Sequence, residues 1–180
     1  MKAYVGIGSN LENRLEHFQK AVSFLSEIAG LEILAASSIY ETSPISCEGG
    51  LFYNAVLELE SSLAPLEMMK FLLSVEKKMG RQREKVQQAR VIDLDLLIND
   101  VQVLQDTILI LPHPRMHERR FVLEPLCELN SKLIHPVLKK TMGELLIGLK
   151  DPNSVKKLFP FQLNLKNTKE AILHHTCRVL

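Results

Sequence analysis

Two aspartates, Asp93 and Asp95, interrupt an otherwise apolar stretch over residues 90–98 that has the composition of a β-strand. Because side chains alternate across a strand, both carboxylates should lie on one face. Neighbouring carboxylates repel each other and lose hydration on such a strand, and a hard divalent cation is their natural partner. From this stretch alone, a half-exposed strand that carries two aspartates by chance is an equally good interpretation.

Basic segments flank this strand on both sides. Residues 80–89 have no apolar periodicity and lead directly into the strand, while residues 112–121 follow it. Their basic and imidazole side chains include Arg81, Arg83, Arg90, His113, Arg115, His117, Arg119 and Arg120. Carboxylates that hold Mg²⁺ beside arginines suit a polyphosphate, whose charge both must neutralise. A long loop over residues 80–89 could also close and exclude water, which favours phosphoryl-type transfer over hydrolysis.

The bulk composition indicates an ordinary soluble protein. The chain has 180 residues, 46% hydrophobic and 24% charged, which fits one domain. A net charge of +1 provides no global field for nucleic acid or a membrane surface. No apolar run approaches the ~18 residues of a membrane span. A strand directly after Met1 leaves no room for a signal peptide, and the three cysteines lack motif spacing. We therefore expect a cytoplasmic protein with reduced thiols.

The hydrophobic patterns predict an α+β fold. Strands are expected at residues 3–7, 31–41, 52–60 and 90–98, and helices at residues 11–28 and 64–79. This β-α-β-β-α-β order is the split-βαβ pattern, which predicts a ferredoxin-like sandwich with a mostly antiparallel sheet and helices packed on it. Ser9 and Glu12 have the spacing of a capping box for the first helix.

The second half of the chain is less regular. Residues 101–103 should pair with the 90–98 strand as a hairpin, and residues 107–111 should form another strand. Helices are expected at residues 121–129 and 141–149. We divide the chain into a domain over residues 1–150 and a C-terminal extension of unknown role over residues 151–180. In that extension Phe159 and Phe161 alternate as in a strand, and residues 168–173 could form a helical turn.

Several motifs occur together in a specific order. They are Gly8-Ser9-Asn10-Leu11, Asn54, Gly80-Arg81-x-Arg83, Arg90-x-Ile-Asp93-Leu-Asp95-Leu, Leu111-Pro112-His113-Pro114-Arg115-Met116, Arg119 and Phe121-Val-Leu-x-Pro125-Leu. From about residue 3 to 149 the ordered set resembles the 6-hydroxymethyl-7,8-dihydropterin pyrophosphokinase family. The resemblance implies a ferredoxin-like enzyme of folate synthesis. Such an enzyme transfers the pyrophosphoryl group of ATP to the pterin hydroxymethyl group and releases AMP.

The resemblance also implies roles for individual residues. Asp93 and Asp95 would hold two Mg²⁺ ions, and Arg81, Arg83 and Arg90 would complete the catalytic set. The implied ATP-binding residues are Glu76, Arg81, Arg83, Arg90, Leu96, His113 and Arg119. The implied pterin-binding residues are Thr42, Ser43, Ile45, Phe52, Asn54, Asp93 and Phe121. Asn54 would pair with the amide-like edge of the heterocycle, and the two phenylalanines would sandwich its ring.

The sequence departs from the family pattern in places. It has no Trp, and Gln87-Gln88-Ala89 stands where many members have Gly-Pro or Ala-Pro. Two other function classes stay open: a noncatalytic RNA-binding module built on the same type of sheet, and a metal-dependent phosphohydrolase. The expected partners are the small-molecule substrates, with no nucleic acid and no membrane. A contact with another folate-pathway enzyme is possible for the extension.

Overall fold

The central sheet has the split-βαβ arrangement. The computed structural model describes residues 1–44, 50–81 and 89–163. The first elements are β1 (Lys2–Ser9), α1 (Arg14–Ser26), β2 (Leu31–Ala36), β3 (Ser38–Thr42), β4 (Phe52–Ser61), α2 (Pro65–Lys78) and β5 (Asp93–Asn99). The strand order is β5-β1-β4-β3, with β2 also paired to β4, and each of these pairs is antiparallel. The predicted ferredoxin-like fold is confirmed.

The second half of the chain supplies smaller elements. These are β6 (Leu104–Gln105), β7 (Ile110–Leu111), a 3-10 turn (Met116–Glu118), α3 (Arg120–Asn130), α4 (Met142–Gly148) and β8 (Val155–Pro160). The predicted hairpin between residues 90–98 and 101–103 is wrong, since β6 pairs with β7 instead. The Asp100 N–H donates to the Lys2 carbonyl at 2.6 Å, and this bond turns the chain away from β5. The strand predicted over residues 107–111 is shorter, because the Asp106 carboxylate accepts from the Ile108 N–H in a turn.

Two predictions in the first half also need correction. The strand expected over residues 31–41 is divided at Ser37, whose buried hydroxyl accepts from the Val56 N–H at 2.9 Å. The Ser9–Glu12 capping box does not form. Ser9 belongs to β1, and α1 begins after Asn13, which has a φ of 61°. The N-terminal end of this helix is therefore set by a left-handed residue rather than by a side-chain cap.

The two faces of the sheet are covered differently. Helices α1 and α2 pack on one face and form the larger core, with Phe18, Leu25, Met68, Leu72 and Val75 among its buried members. Helices α3 and α4 pack on the other face around Leu123, Leu126 and Met142. None of the helices in the described ranges is long and apolar enough to cross a membrane. A cleft remains on the second face beside the N-terminal end of α3, where Phe121 and Val122 line it.

The described part of the C-terminal extension is integrated into the sheet. Strand β8 pairs with the outer edge of β3 in antiparallel register. Phe161 is 6% exposed and packs edge-to-face on Phe18, with 5.6 Å between ring centroids. The Asp151 carboxylate accepts from the Arg120 N–H at 2.9 Å, at the start of α3. The extension therefore contacts β3 and α3, which both border the cleft. Residues 164–180, including the helical turn predicted at 168–173, lie outside the described residues.

Glu128 on α3 joins these elements, and we expect its removal to destabilise the fold. Its carboxylate accepts from the Ser38 N–H, the Ser38 hydroxyl and the Tyr40 hydroxyl at 2.7–3.1 Å. It also pairs with Lys157 of β8. Glu128→Ala leaves these donors without their acceptor, so the free energy of unfolding should fall by about 2–3 kcal/mol. Lys157→Ala is the matched control and should cost less than about 1 kcal/mol, because that pair is exposed. Urea denaturation measures both values, and equal losses would contradict this role for Glu128.

Candidate active site

The floor of the cleft is the part of β1 that carries glycines instead of side chains. Gly8 lies in register between Asn54 on β4 and Asp93 on β5, and Gly6 lies in the same way beside Asp95. Residues directly opposite on neighbouring strands share a face, so these polar groups all point into the cleft. Its volume is about 530 Å³. The alternation of side chains thus brings Asp93 and Asp95 to one face, as the sequence predicted.

Position 8 requires glycine because there is little room for a side chain. A Cβ atom placed there would lie 3.2 Å from Asn54 Oδ1 and 3.9 Å from Asp93 Cβ. A side chain would therefore fill the gap between the amide and the carboxylate. In the sequence, Gly8 is conspicuous only as part of the Gly8-Ser9-Asn10-Leu11 motif, and Gly6 precedes it by two residues. Their spacing of two residues, which puts both on one face, is the signal that could have identified them as the floor.

One side of the cleft has the polar and aromatic residues suited to a flat heterocycle. Asn54 is 7% exposed, and its Nδ2 donates to Thr42 Oγ1 at 2.8 Å, which fixes the orientation of the amide. Thr42, Ser43, Phe52 and Phe121 also line the cleft. These residues come from β3, β4 and α3, and the structure brings them together as predicted. Ile45, which the resemblance places with them, lies outside the described residues.

Arg81 is positioned by the end of α2. Gly80 has a φ of +88°, and the Arg81 N–H donates to the Glu76 carbonyl at 3.0 Å, which completes a Schellman-type C-terminus. This geometry returns the chain toward the sheet, where the Arg81 guanidinium pairs with the carboxylates of both Glu76 and Asp93. Glu76 is 1% exposed and also accepts from the Leu94 N–H at 2.8 Å. The buried acid therefore links α2, Arg81 and the backbone of β5.

Arg90 approaches Asp93 from the other direction. Its Nη1 lies 2.5 Å from Asp93 Oδ2, so two guanidinium groups neutralise that carboxylate. The backbone of Arg90 is held by Asn10, whose Oδ1 accepts from the Arg90 N–H at 2.6 Å. The Asn10 N–H in turn donates to the Arg90 carbonyl. These two hydrogen bonds to the Arg90 backbone explain why an asparagine occupies position 10 in the Gly8-Ser9-Asn10-Leu11 motif.

Asp95 has a different environment from Asp93. Burial raises the pKa of Asp95 to about 6, the charge of Asp93 adds to this shift, and Arg119 acts against it. Within the described residues, no hydrogen bond or ion pair reaches its carboxylate. A partly buried carboxylate in this state favours a bound cation. The two aspartates thus provide, side by side, one carboxylate that is ion-paired with two arginines and one that has no direct ion pair among the described residues.

The 3-10 turn and its neighbours form the other wall of the cleft, through Arg115, Glu118 and Arg119. His113 lies behind them: its N–H donates to the Leu97 carbonyl at 2.8 Å, and its Nδ1 accepts from the Arg115 N–H. Burial lowers the pKa of His113 to about 4, and the charges of Arg119 and Arg115 act in the same direction. His113 is therefore a neutral group near pH 7. The sequence did not predict that Arg115 and Glu118 would line this wall.

Four described residues of the predicted ATP-binding set do not line the cleft: Glu76, Arg81, Leu96 and His113. The Leu96 side chain is 2% exposed and packs in the larger core, on the sheet face opposite the carboxylates. This placement follows from strand alternation, because Leu96 is one residue from Asp95. Glu76 is buried and serves as the partner of Arg81 and the Leu94 N–H. Arg83 and the rest of residues 82–88 lie outside the described residues, so the predicted lid is not placed.

A metal ion here would need ligands beyond those of the described protein. No group of three or more His, Cys, Asp or Glu side chains with metal-binding geometry occurs in residues 1–44, 50–81 and 89–163. The donor set is two carboxylates, of which Asp95 has no cationic partner among the described residues. Hard divalent cations accept one or two carboxylates when phosphate oxygens and waters complete their coordination. The residues present therefore fit Mg²⁺ bound together with a phosphate ligand.

Comparison with known proteins agrees with this chemistry. The sequence profile of the family described as 7,8-dihydro-6-hydroxymethylpterin-pyrophosphokinase (HPPK) matches residues 4–131. The 2-amino-4-hydroxy-6-hydroxymethyldihydropteridine pyrophosphokinase of Aquifex aeolicus is 35% identical over 164 residues, which cover 91% of this chain and 97% of that protein. The folic acid synthesis protein fol1 of Pneumocystis carinii is 35% identical over 159 residues. That match covers 88% of this chain but only 21% of the fungal protein, so the chain spans about a fifth of its length.

A solved structure has the same fold. The crystal structure of Plasmodium falciparum HPPK-DHPS with pteroate superposes with a TM-score of 0.68 at 15% sequence identity. The match covers 82% of this chain and 44% of the Plasmodium chain. At this identity the likeness extends to the fold.

Proposed function

Because the chain belongs to the 7,8-dihydro-6-hydroxymethylpterin-pyrophosphokinase family, we propose that it transfers the pyrophosphoryl group of ATP to 6-hydroxymethyl-7,8-dihydropterin. The products are AMP and the pterin diphosphate, an intermediate of folate biosynthesis. The observation that carries this proposal is the row of residues across Gly8, where Asn54 and Asp93 face each other over a gap without a side chain. A heterocycle bound beside Asn54 would thus have its exocyclic group next to the carboxylates.

The acceptor side of the proposed site is the part lined by Phe52, Asn54 and Phe121. The Asn54 amide is already oriented by its hydrogen bond to Thr42, so little conformational entropy is lost when it pairs with a heterocycle. The two aromatic rings supply flat apolar surfaces for the ring system. Thr42, Ser43 and Ile45 complete the predicted acceptor pocket.

The donor side is the basic part of the cleft. Arg81, Arg90 and Arg119 surround the carboxylates, and the first two would exchange part of their contact with Asp93 for phosphate oxygens. Asp93 and Asp95 would hold Mg²⁺, which when bound neutralises phosphate charge and polarises the acceptor hydroxyl. His113, Glu76 and Leu96 remain proposed members of the ATP side, the last two acting from behind the cleft. Arg83 remains a proposed catalytic residue.

A single assay separates this function from its alternatives. The protein is mixed with Mg²⁺ and ATP, with and without the pterin alcohol, and the nucleotides are separated by chromatography. The proposed transferase forms AMP only when the pterin is present. A metal-dependent phosphohydrolase would form ADP or inorganic phosphate without the pterin. An RNA-binding module would turn over no nucleotide in either mixture.

Gly8→Ala should weaken pterin binding selectively. The added methyl group would lie 3.2 Å from Asn54 Oδ1 and occupy the floor between Asn54 and Asp93. Overpacking of this kind costs about 1–3 kcal/mol, so we expect roughly tenfold weaker binding of the pterin. Titration calorimetry with a nonhydrolysable ATP analogue present measures this, while the affinity for the analogue alone should change little.

The control for this experiment is Gly148→Ala, since a Cβ atom at that position meets nothing within 4 Å. This variant should bind the pterin as the natural protein does. If Gly8→Ala retained the same pterin affinity as the control, the floor of β1 would not be part of the acceptor pocket.

The cellular context is also a proposal. We propose a cytoplasmic location, as expected from the sequence. We also propose a contact with a second folate-pathway enzyme, which is supported by the Plasmodium protein, described as HPPK-DHPS. Nucleic acid and membranes are not proposed as partners, because the net charge of +1 gives no general attraction to either.

A further inference from the structure

His135 is a buried residue in the connection between α3 and α4, and its tautomer is set by the backbone around it. His135 is only 3% exposed. Nδ1 accepts from the Val137 N–H at 3.3 Å and from the Leu138 N–H at 3.1 Å. A nitrogen that accepts these bonds cannot carry the proton of a neutral imidazole, so the proton lies on Nε2. Burial, together with the neighbouring His117, lowers the pKa of His135, which favours this neutral form.

The neighbouring ring of His117 has a nitrogen that is complementary to the Nε2–H group of His135. Among the described residues, His135 Nε2 and His117 Nδ1 are both buried without a hydrogen-bond partner. The two rings pack edge-to-face, with 5.7 Å between their centroids. Buried polar groups are nearly always satisfied, often by one buried water that bridges them. A protonated Nε2 on one ring and an unpaired nitrogen on the other are suited to such a bridge. The same proton makes His135 Nε2 a poor metal ligand, because a ligand needs a free lone pair.

We propose that His135 and His117 form a positioning pair, in which His135 Nε2–H donates through one bridging water to His117 Nδ1. His117 is in the middle of the 3-10 turn, and its neighbours Arg115, Glu118 and Arg119 line the cleft. The pair thus connects a turn that is itself remote from the cleft to the wall that faces the substrates. This inference rests on the proposed function in assigning the cleft to pyrophosphoryl transfer, but the hydrogen bond itself does not depend on it.

The proposed bond also determines whether the second ring nitrogen of His117, Nε2, carries a proton. If Nδ1 accepts, the neutral ring carries its proton on Nε2, which lies 3.8 Å from Glu118 Oε1. The proton on Nε2 is then on the side of the ring nearest to Glu118, although 3.8 Å is longer than a hydrogen bond. His117 and His135 act through the neighbours of His117 in the 3-10 turn, and neither histidine lines the cleft.

Substitutions can separate this bond from the local turn. In His135→Asn the side-chain oxygen can replace Nδ1 as acceptor for the Val137 and Leu138 N–H groups, but the Nε2–H donor is lost. His117→Leu removes the acceptor, whereas His117→Asn retains an acceptor oxygen near the position of Nδ1. We expect His135→Asn and His117→Leu to raise KM for ATP roughly 3- to 10-fold. A change of this size corresponds to the free energy of one lost hydrogen bond. Because the reacting groups remain, kcat should change less than KM, and His117→Asn should restore most of the KM.

The decisive readout is ¹⁵N NMR of the full chain labelled at histidine, which requires no activity. We expect His135 to carry its proton on Nε2, and His117 Nδ1 to show the shift of a hydrogen-bonded, unprotonated nitrogen. In His135→Asn the His117 Nδ1 resonance should move toward the position of a free acceptor. A proton on His117 Nδ1, or a resonance that His135→Asn leaves unchanged, would overturn the proposal. If the protein failed to transfer pyrophosphate, these NMR results would still stand, so the two failures are distinguishable.

Discussion

Replacing Asp95 with Asn should lower kcat by about a thousandfold or more while the protein remains folded. Asp95 is the carboxylate that has no cationic partner among the described residues, and it lies beside Asp93 on the floor of the cleft. An amide is a poor ligand for Mg²⁺ and carries no charge, so the variant loses electrostatic stabilisation worth several kcal/mol in the transition state. Steady-state kinetics of AMP formation measure the loss. Binding of the pterin should be retained better than binding of MgATP.

Asp100→Asn is the matched control for this substitution. Asp100 is exposed in the turn after β5 and has a φ of 51°, a conformation that Asn tolerates well. The control should therefore have normal kinetics and stability. If Asp95→Asn kept near-normal kcat, the assignment of the two carboxylates to the metal would be wrong.

Arg81→Ala should lose both activity and stability. The guanidinium pairs with Glu76 and Asp93, and its side chain is only 12% exposed. The substitution removes a cationic partner from the carboxylates of Glu76 and Asp93, and breaking a buried ion pair costs about 3–5 kcal/mol. We therefore expect a loss near the lower end of that range in the free energy of unfolding. Both substrate affinity and kcat should fall as well, because Arg81 also contributes charge to the phosphate side.

Arg90→Ala separates these two effects. Arg90 pairs with Asp93 but its side chain is 36% exposed, and the position of its backbone depends on Asn10 rather than on the guanidinium. This variant should lose activity, but its free energy of unfolding should fall by less than about 1 kcal/mol. Thermal melts and kinetics on both variants test the difference. Equal destabilisation by the two substitutions would show that the Arg81–Glu76 pair does not hold α2 to β5.

The parts of the fold that sequence predicted are those with a strong local signal. The carboxylate face of β5 followed from alternation alone, and the helix predicted over residues 64–79 agrees with α2 to within one residue at each end. The 90–98/101–103 hairpin was wrong because Asp100 bonds to Lys2, a residue remote in sequence. In α2, the apolar residues Leu66 and Phe71 are 38% and 40% exposed, whereas Met68 is buried. An apolar pattern does not reveal which of two overlapping stripes the sheet will cover.

The sequence predicted site residues only where the charge and spacing of the side chains indicated a function. Asp93 and the arginines were found from charge and spacing. The open floor at Gly8, the buried link through Glu76 and the wall position of Arg115 depend on strand register and on the path of the chain after α2 and β7. These relations join residues that are distant in sequence. Periodicity reports local structure, so it could not supply them.

The most direct test of the whole account follows the phosphorus atoms of ATP. The protein is incubated with Mg²⁺, the pterin alcohol and ATP labelled either at the α-phosphorus or at the β- and γ-phosphorus atoms, and the products are separated. We predict that the β and γ labels appear together on the pterin while the α label remains in AMP. If the labels appeared in inorganic phosphate or pyrophosphate, with ADP or AMP formed and the pterin alcohol unchanged, the cleft would be a hydrolase site and the proposed transfer would be wrong.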